Sequence, residues 1–233
     1  MRLPAPNPEL ESRFPHRHDR AYAYLRGLLL DGGLEPNNVL STEDVAKALN
    51  VSRAPVTDAT KRVARDGFFV IVPQVGCVVC APKPAEVADF YRLFAKSEAT
   101  ITSMAAERRT ADHIPQLRAT IAGLEAQFDA LRGQRDVGPI LRDLNRQRYQ
   151  AIHDIASSSI AGDLVANMWD RSDFYIRIAY GEFVYARSIQ ESHKKICRAV
   201  LDGNPTIAAS ETEKYLTYVG REIAAKLAGA PNQ

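Results

Sequence analysis

Arg53, Thr57, Lys61 and Arg65 recur every four residues, with Arg62 beside them. That spacing sets them on one side of a helix. Guanidinium and ammonium groups arrayed in this way bind phosphate, and an arginine also reads guanine through paired hydrogen bonds. The chemistry on offer is recognition of nucleic acid. Cys77 and Cys80 form a C-x-x-C, but residues three apart on an extended strand point to opposite faces, and no second pair follows to complete a zinc site. Small apolar residues that fill a strand are the simpler reading. The carboxylates Glu98, Asp143 and Glu191 lie in ordinary helical surroundings, where burial and structural pairing of Glu98 and Glu191 is the expectation. No G-x-S-x-G, P-loop or H-E-x-x-H occurs, so no nucleophile or metal-activated water is supplied. The chain is therefore expected not to be an enzyme, a metal-dependent hydrolase on a helical scaffold being the distant alternative.

The basic row needs a frame to present it. Val45, Ala48 and Leu49 follow the cap candidates Ser41 and Thr42 at helical spacing, with Asp44 in reach of Ser41. Asn50-Val51-Ser52 is too short for anything but a sharp corner. Ser52 then caps a second helix whose first turn holds Pro55, a position that needs no intrahelical N–H. Val56, Ala59, Thr60 and Val63 line its inner face. Asp66-Gly67 ends it, FFVIV reads as a strand, PQVG as a turn and CVVC as a returning strand. Helix, tight turn, helix and β-hairpin wing make a winged helix-turn-helix, whose second helix enters the DNA major groove.

A chain of 233 residues has room for this module and a second core. Its net charge of only +2 rules out a broadly cationic coat, so affinity for DNA must come from local charge and from pairing of copies. Three cysteines make no disulfide framework. There is no run of 18 apolar residues and no apolar core near the start for a signal peptide. A cytoplasmic protein without membrane contact is expected.

Residues 1–15, rich in proline and charge, read as a mobile arm. His16 to Leu30 reads as a helix with Ala21, Tyr24, Leu25, Leu28 and Leu29 inward. The DNA-reading domain then spans 16–81, a linker 82–86, and a helical domain 87–228. In the last, helices are expected over 85–108, 111–132, 136–157, 160–187, 189–202 and 204–228, with breaks at Thr110, Gly133, Ser157 to Ser159, Ser188 and Gly203-Asn204-Pro205. The fold class is mainly α: a winged helix-turn-helix with a small β-hairpin wing, followed by an all-α antiparallel helical bundle able to enclose a ligand.

STEDVAKALNVSRAPVTDATKRVARDGF, closed by P-x-x-G at the wing, resembles the GntR family of bacterial transcription regulators. MAAERRT, LRATIAGLEAQFDA, LNRQRYQAIHDIA and SIQESHKKICRAVLDGN resemble the C-terminal effector-binding (FCD) domain of its FadR branch. The resemblance implies a homodimer, double-stranded DNA as partner, a palindromic operator, a small-molecule effector and, by family habit, a repressor. A regulator whose pocket has degenerated, acting constitutively or through a partner protein, is the alternative. Candidate DNA contacts are Ser41, Thr42, Glu43, Ser52, Arg53, Ala54, Pro55, Thr57, Lys61, Arg62, Gln74 and Gly76. Arg53 and Gly76 match the family pattern, whereas Glu43 and Thr57 stand where many relatives have arginines.

Most members of that branch bind a divalent metal through an Asp or Asn and three His. Asn145 and His193 fall on two of those positions, Tyr149 and Tyr215 on the other two, and Phe94 on the usual effector-binding arginine. His153, one turn beyond Tyr149, adds a third possible donor after Asn145 and His193. The candidate effector pocket is Phe94, Asn145, Tyr149, His153, His193 and Tyr215. A phenol is a poor ligand beside imidazole, so Zn or Ni is disfavoured, and no cofactor is assigned. Fewer cations and more rings favour a neutral or aromatic effector over a small dicarboxylate.

Overall fold

The computed structural model describes residues 3–183 and 187–229. They form two compact units that divide between Pro82 and Lys83.

The first unit runs α1 (Leu10–Arg13), α2 (Arg17–Leu30), β1 (Val39–Leu40), α3 (Thr42–Leu49), α4 (Arg53–Arg65), β2 (Phe69–Val72) and β3 (Gly76–Val79). α3 starts where the sequence provides a cap: Ser41 Oγ accepts from the Asp44 N–H at 3.1 Å. It stops at Asn50, which takes the left-handed conformation, φ 51°, that asparagine tolerates. Ser52 holds the extended backbone of a cap, but its side chain makes no capping bond, so α4 starts without that expected contact. α4 buries Val56, Ala59, Thr60 and Val63, the four residues its period assigns inward. α2 and α3 both pack on it. The sheet has order β1-β3-β2, all antiparallel. The hairpin was expected; the third strand, Val39–Leu40 paired with Val78 and Cys77, was not. Cys77 is buried and Cys80 half-buried, the alternation an extended strand imposes.

Residues 3–15, read as an arm, carry α1 and are bonded to α2. Tyr24 Oη donates to the Pro4 carbonyl at 2.5 Å, and Arg20 meets Glu11 at 2.6 Å and the Phe14 carbonyl at 3.2 Å. Residues 1 and 2 of that segment lie outside the described residues.

The second unit is α5 (Pro84–Arg108), α6 (His113–Ala130), α7 (Gly138–Ala156), α8 (Ser159–Tyr180), α9 (Arg187–Asp202) and α10 (Pro205–Ala228). α5 begins inside the expected linker, because Pro84 suits a first helical turn that needs no N–H. α5 and α10 pack antiparallel: Lys96 meets Glu213 at 2.6 Å, while Tyr91, earlier in α5, lies on Gly220, later in α10. α7 and α8 also run antiparallel, Arg146 reaching Asp173 and Tyr149 reaching Trp169. One large apolar core joins α5 and α7 to α10 through Tyr91, Phe94, Tyr149, Trp169, Ile196 and Leu216, among others. α8 stops at Tyr180 instead of running to 187, because Gly181 takes a left-handed φ of 83° and closes the helix on the Arg177 carbonyl. Residues 184–186 of the expected helix lie outside the described residues. α9 begins at Arg187, so Ser188 is not the break it was read as.

Candidate functional site

The exposed side of α3 and α4 carries most of the candidate DNA contacts. Ser41, Glu43, Ser52, Arg53, Ala54, Thr57, Lys61 and Arg62 are exposed, and Thr42 and Pro55 are half-buried. Gln74 and Gly76 are exposed at the wing turn, where the Val75 N–H bonds the Val72 carbonyl and Gln74 and Gly76 have φ of 64° and 116°. The cations of this face are not bare. Arg53 is ion-paired to Glu43, which also meets Lys47 at 3.1 Å. The Lys47 hydrogen bond, and then the charges of Arg53 and Lys47, hold the Glu43 carboxyl below the usual carboxylate range. Lys61 lies 3.7 Å from Asp58. Arg62 bonds Asp19 at 3.5 Å and stacks 3.8 Å over the Tyr22 ring, so it is tied to α2. Thr57 Oγ1 donates back to the Arg53 carbonyl at 3.1 Å. Exposed pairs of this kind are weak and exchange readily for phosphate.

In the second unit four helices bring the candidate pocket residues together. α5 gives Phe94, α7 gives Asn145 and Tyr149, α9 gives His193 and α10 gives Tyr215, all buried. Trp169 of α8 joins them. Phe94 meets Trp169 edge-on at 4.9 Å between centroids, Tyr149 lies 4.0 Å from Trp169, and His193 is 4.6 Å from Tyr215. A continuous aromatic wall results.

Its polar groups are held in specific pairs. Nδ1 of His193 is 2.8 Å from Nη1 of Arg148, and Nε2 is 3.1 Å from the Tyr149 hydroxyl. Burial first, and the Arg148 charge second, push the His193 pKa well below the usual imidazole range, so the ring is neutral. Glu98, fully buried, holds His153 Nε2 at 2.7 Å and accepts from the Trp169 indole N–H at 3.0 Å. Glu191, also expected to be buried, is instead exposed and bonded to Lys194 at 3.4 Å, because it sits on the outer side of α9. Asp173 accepts from Arg146 at 2.8 Å; burial raises its pKa to about 6, with the Arg146 charge opposing. Arg148 and Trp169 were not singled out in the sequence. The available signal for Arg148 was its i,i+3 spacing from Asn145.

These residues do not fit the metal that the family resemblance implies. His153 is turned onto Glu98, both nitrogens of His193 already face partners, and one of those partners is a cation. Among the described residues no three of His, Cys, Asp and Glu gather as a metal would need. Asn145 Oδ1 is buried without a hydrogen-bond partner, an acceptor suited to a ligand N–H or O–H.

A winged helix-turn-helix followed by a helical domain with a ring-lined interior defines a DNA-binding regulator with a sensor domain. The pattern of the bacterial regulatory proteins of the gntR family matches residues 17–79, and that of the FCD domain matches 89–217. The chain belongs to the GntR family, in its FadR-type branch with a C-terminal FCD domain, and is a transcription regulator and not an enzyme. It is 24% identical over 204 residues, 87% of this chain and 83% of the other, to an HTH-type transcriptional regulator from an unstable DNA locus of Streptomyces ambofaciens. Its fold is similar to that of McbR/YncC of E. coli, with a TM-score of 0.69 at 18% identity over 89% of this chain and 98% of that one. A GntR regulator from Rhodococcus sp. RHA1 gives a TM-score of 0.67 at 17% identity over 93% and 99%. No helix among the described residues is long and apolar enough to cross a membrane.

Proposed function

We propose that the protein is a homodimeric, effector-responsive repressor in the cytoplasm that reads a palindromic operator with α4 and the wing. Residues 16–81 serve as the reading domain and 87–228 as the effector-binding and dimerisation domain. Pairing of two copies supplies the symmetry that a half-site reader needs and compensates for a modest net charge. The effector is neutral or aromatic and acts by shifting the pair's fit to its operator, for which a coupling of about 1–3 kcal/mol suffices. The observation that carries this is the aromatic wall of Phe94, Trp169, Tyr149 and Tyr215, in which Arg148 and Glu98 are already engaged by His193 and His153. Because those rings are buried against one another, a second reading also has support: a filled pocket in a regulator that represses constitutively or through a partner protein.

The test is capture of genomic fragments by the purified full-length protein at physiological salt, followed by footprinting of the tightest. One protected palindrome spanned by a dimer supports the reading, and release by a neutral aromatic compound separates the first form from the second. Only weak, sequence-indifferent capture that salt abolishes would overturn it.

A further inference from the structure

Whether His193 acts as a ligand or as a donor depends on its second nitrogen. A guanidinium carries N–H groups only and does not lose its proton in proteins. Nδ1 of His193, 2.8 Å from Arg148 Nη1, must therefore offer its lone pair to Arg148. A neutral imidazole has one N–H, so the proton sits on Nε2, which donates to the Tyr149 hydroxyl 3.1 Å away. A metal-binding histidine needs the reverse: a lone pair toward the ion, and its other N–H donating to a carboxylate, a carbonyl or water. Arg148 is itself buried and lies 5.1 Å over the Phe128 ring, so its place is set by packing on α6 as well as by the histidine.

We infer that Arg148 reverses the polarity of His193, turning the one histidine at a family ligand position into a hydrogen-bond donor and closing this centre to divalent metal ions. The replacement of two imidazoles by Tyr149 and Tyr215 is then only half of the change. Restoring them would not restore the metal, because the remaining histidine still directs an N–H at the site and a fixed positive charge stands on its far side. The interior is left with groups suited to neutral polar ligands: the His193 to Tyr149 chain, and the buried acceptor Asn145 Oδ1. The inference does not depend on an effector being bound, so it can fail while the regulatory reading stands.

Two measurements on the full-length protein test it. Nitrogen-15 spectra of the histidines, with His193 assigned by loss in His193→Gln, should show Nε2 protonated and Nδ1 bare; a protonated Nδ1 overturns the proposal. Equilibrium dialysis against Zn²⁺ or Ni²⁺ should show no ion whose binding is lost in His193→Gln. Tyr149→His with Tyr215→His should remain about 10–100-fold weaker for either ion than the same pair with Arg148→Gln, the range expected when the partner of a ligating histidine is changed. A stoichiometric His193-dependent ion in the unaltered protein, or equal affinity in the double and triple variants, would overturn the inference. If the triple variant does not fold, the nitrogen spectra of the unaltered protein decide.

Discussion

Glu43, the second residue of α3, is ion-paired to Arg53, the first residue of α4, across the turn that joins them. Two consequences follow for DNA. At the start of α4 the pair turns the arginine toward α3, and it sets a carboxylate beside the cation that a phosphate would need. Binding must break or share this contact. Glu43→Gln should therefore tighten binding to random duplex at low salt and steepen the fall of log K with log salt by about 0.9, the increment for one further phosphate contact. An unchanged slope in a salt titration by fluorescence anisotropy would show that Glu43 does not restrain Arg53.

On the proposed reading Arg53 opens the helix that enters the major groove, where a guanidinium can read a guanine edge. Arg53→Ala should cost roughly 1–3 kcal/mol on the footprinted operator and much less on a random duplex. Equal losses on the two would assign Arg53 to phosphate.

The reading domain was legible in the sequence because its signals are local. Ser41 caps α3 three residues away, and the inward set of α4 repeats at helical period. β1 escaped notice because two residues, Val39 and Leu40, carry no pattern and become a strand only by pairing with Val78 and Cys77. The pocket was half legible. Asn145, Tyr149 and His193 could be placed by resemblance, whereas Arg148 was not singled out among the arginines of its helix. Its spacing from Asn145 and Tyr149 puts it on the inward face of α7, but its partner His193 lies 45 residues on in another helix, and no periodicity reports that pairing. Glu98 is similar: its burial was anticipated, but its partners His153 and Trp169 come from two other helices.

A tight contact between α5 and α10 gives a stability prediction. A Cβ on Gly220 would overlap Cβ and Cγ of Tyr91, whose hydroxyl is in turn tied to Ser172 at 2.7 Å. The ring has no easy retreat. Gly220→Ala should destabilise the protein by about 1–3 kcal/mol through overpacking, against the roughly 1 kcal/mol that alanine gains over glycine in a helix. Urea unfolding that shows a net gain would mean that α5 and α10 separate at little cost.

The composition of the aromatic wall predicts which compounds stabilise the helical domain. On the proposed reading, with Arg148 and Glu98 engaged, a small dicarboxylate has neither of them to pair with, while a ring with one donor that opens the wall would find Trp169 or Tyr149 to stack on and Asn145 Oδ1 to bond. In a thermal-shift screen neutral aromatics should raise Tm and citrate or malate should not. The opposite pattern would sink the assignment of ligand class.

Two buried groups make stability depend on pH in opposite senses. Asp173 has its carboxyl raised to about 6, chiefly by burial, whereas an unfolded aspartate ionises near about 3.9. Between those values the folded chain binds the extra proton, so this group stabilises the fold at the acid end and its contribution is lost as pH rises through about 6. His193 behaves conversely. Its folded pKa lies well below the imidazole range, so below about 6.5 the unfolded chain takes the proton first and stability falls as pH falls. Asp173→Asn should remove the first slope and leave the protein as stable as wild type, or more so, at neutral pH. Arg146 keeps Asp170 at 2.5 Å, and the amide N–H₂ can occupy the position of the buried Oδ1 that has no hydrogen-bond partner. The difference between variant and wild type should reach the order of 1–3 kcal/mol and develop between about pH 4 and 6. His193→Gln should instead flatten the loss on the acid side of about pH 6.5. Urea unfolding followed by circular dichroism across this range separates the two. An Asp173→Asn curve that runs parallel to wild type throughout would show that Asp173 keeps an ordinary carboxylate pKa, with the Arg146 charge outweighing its burial.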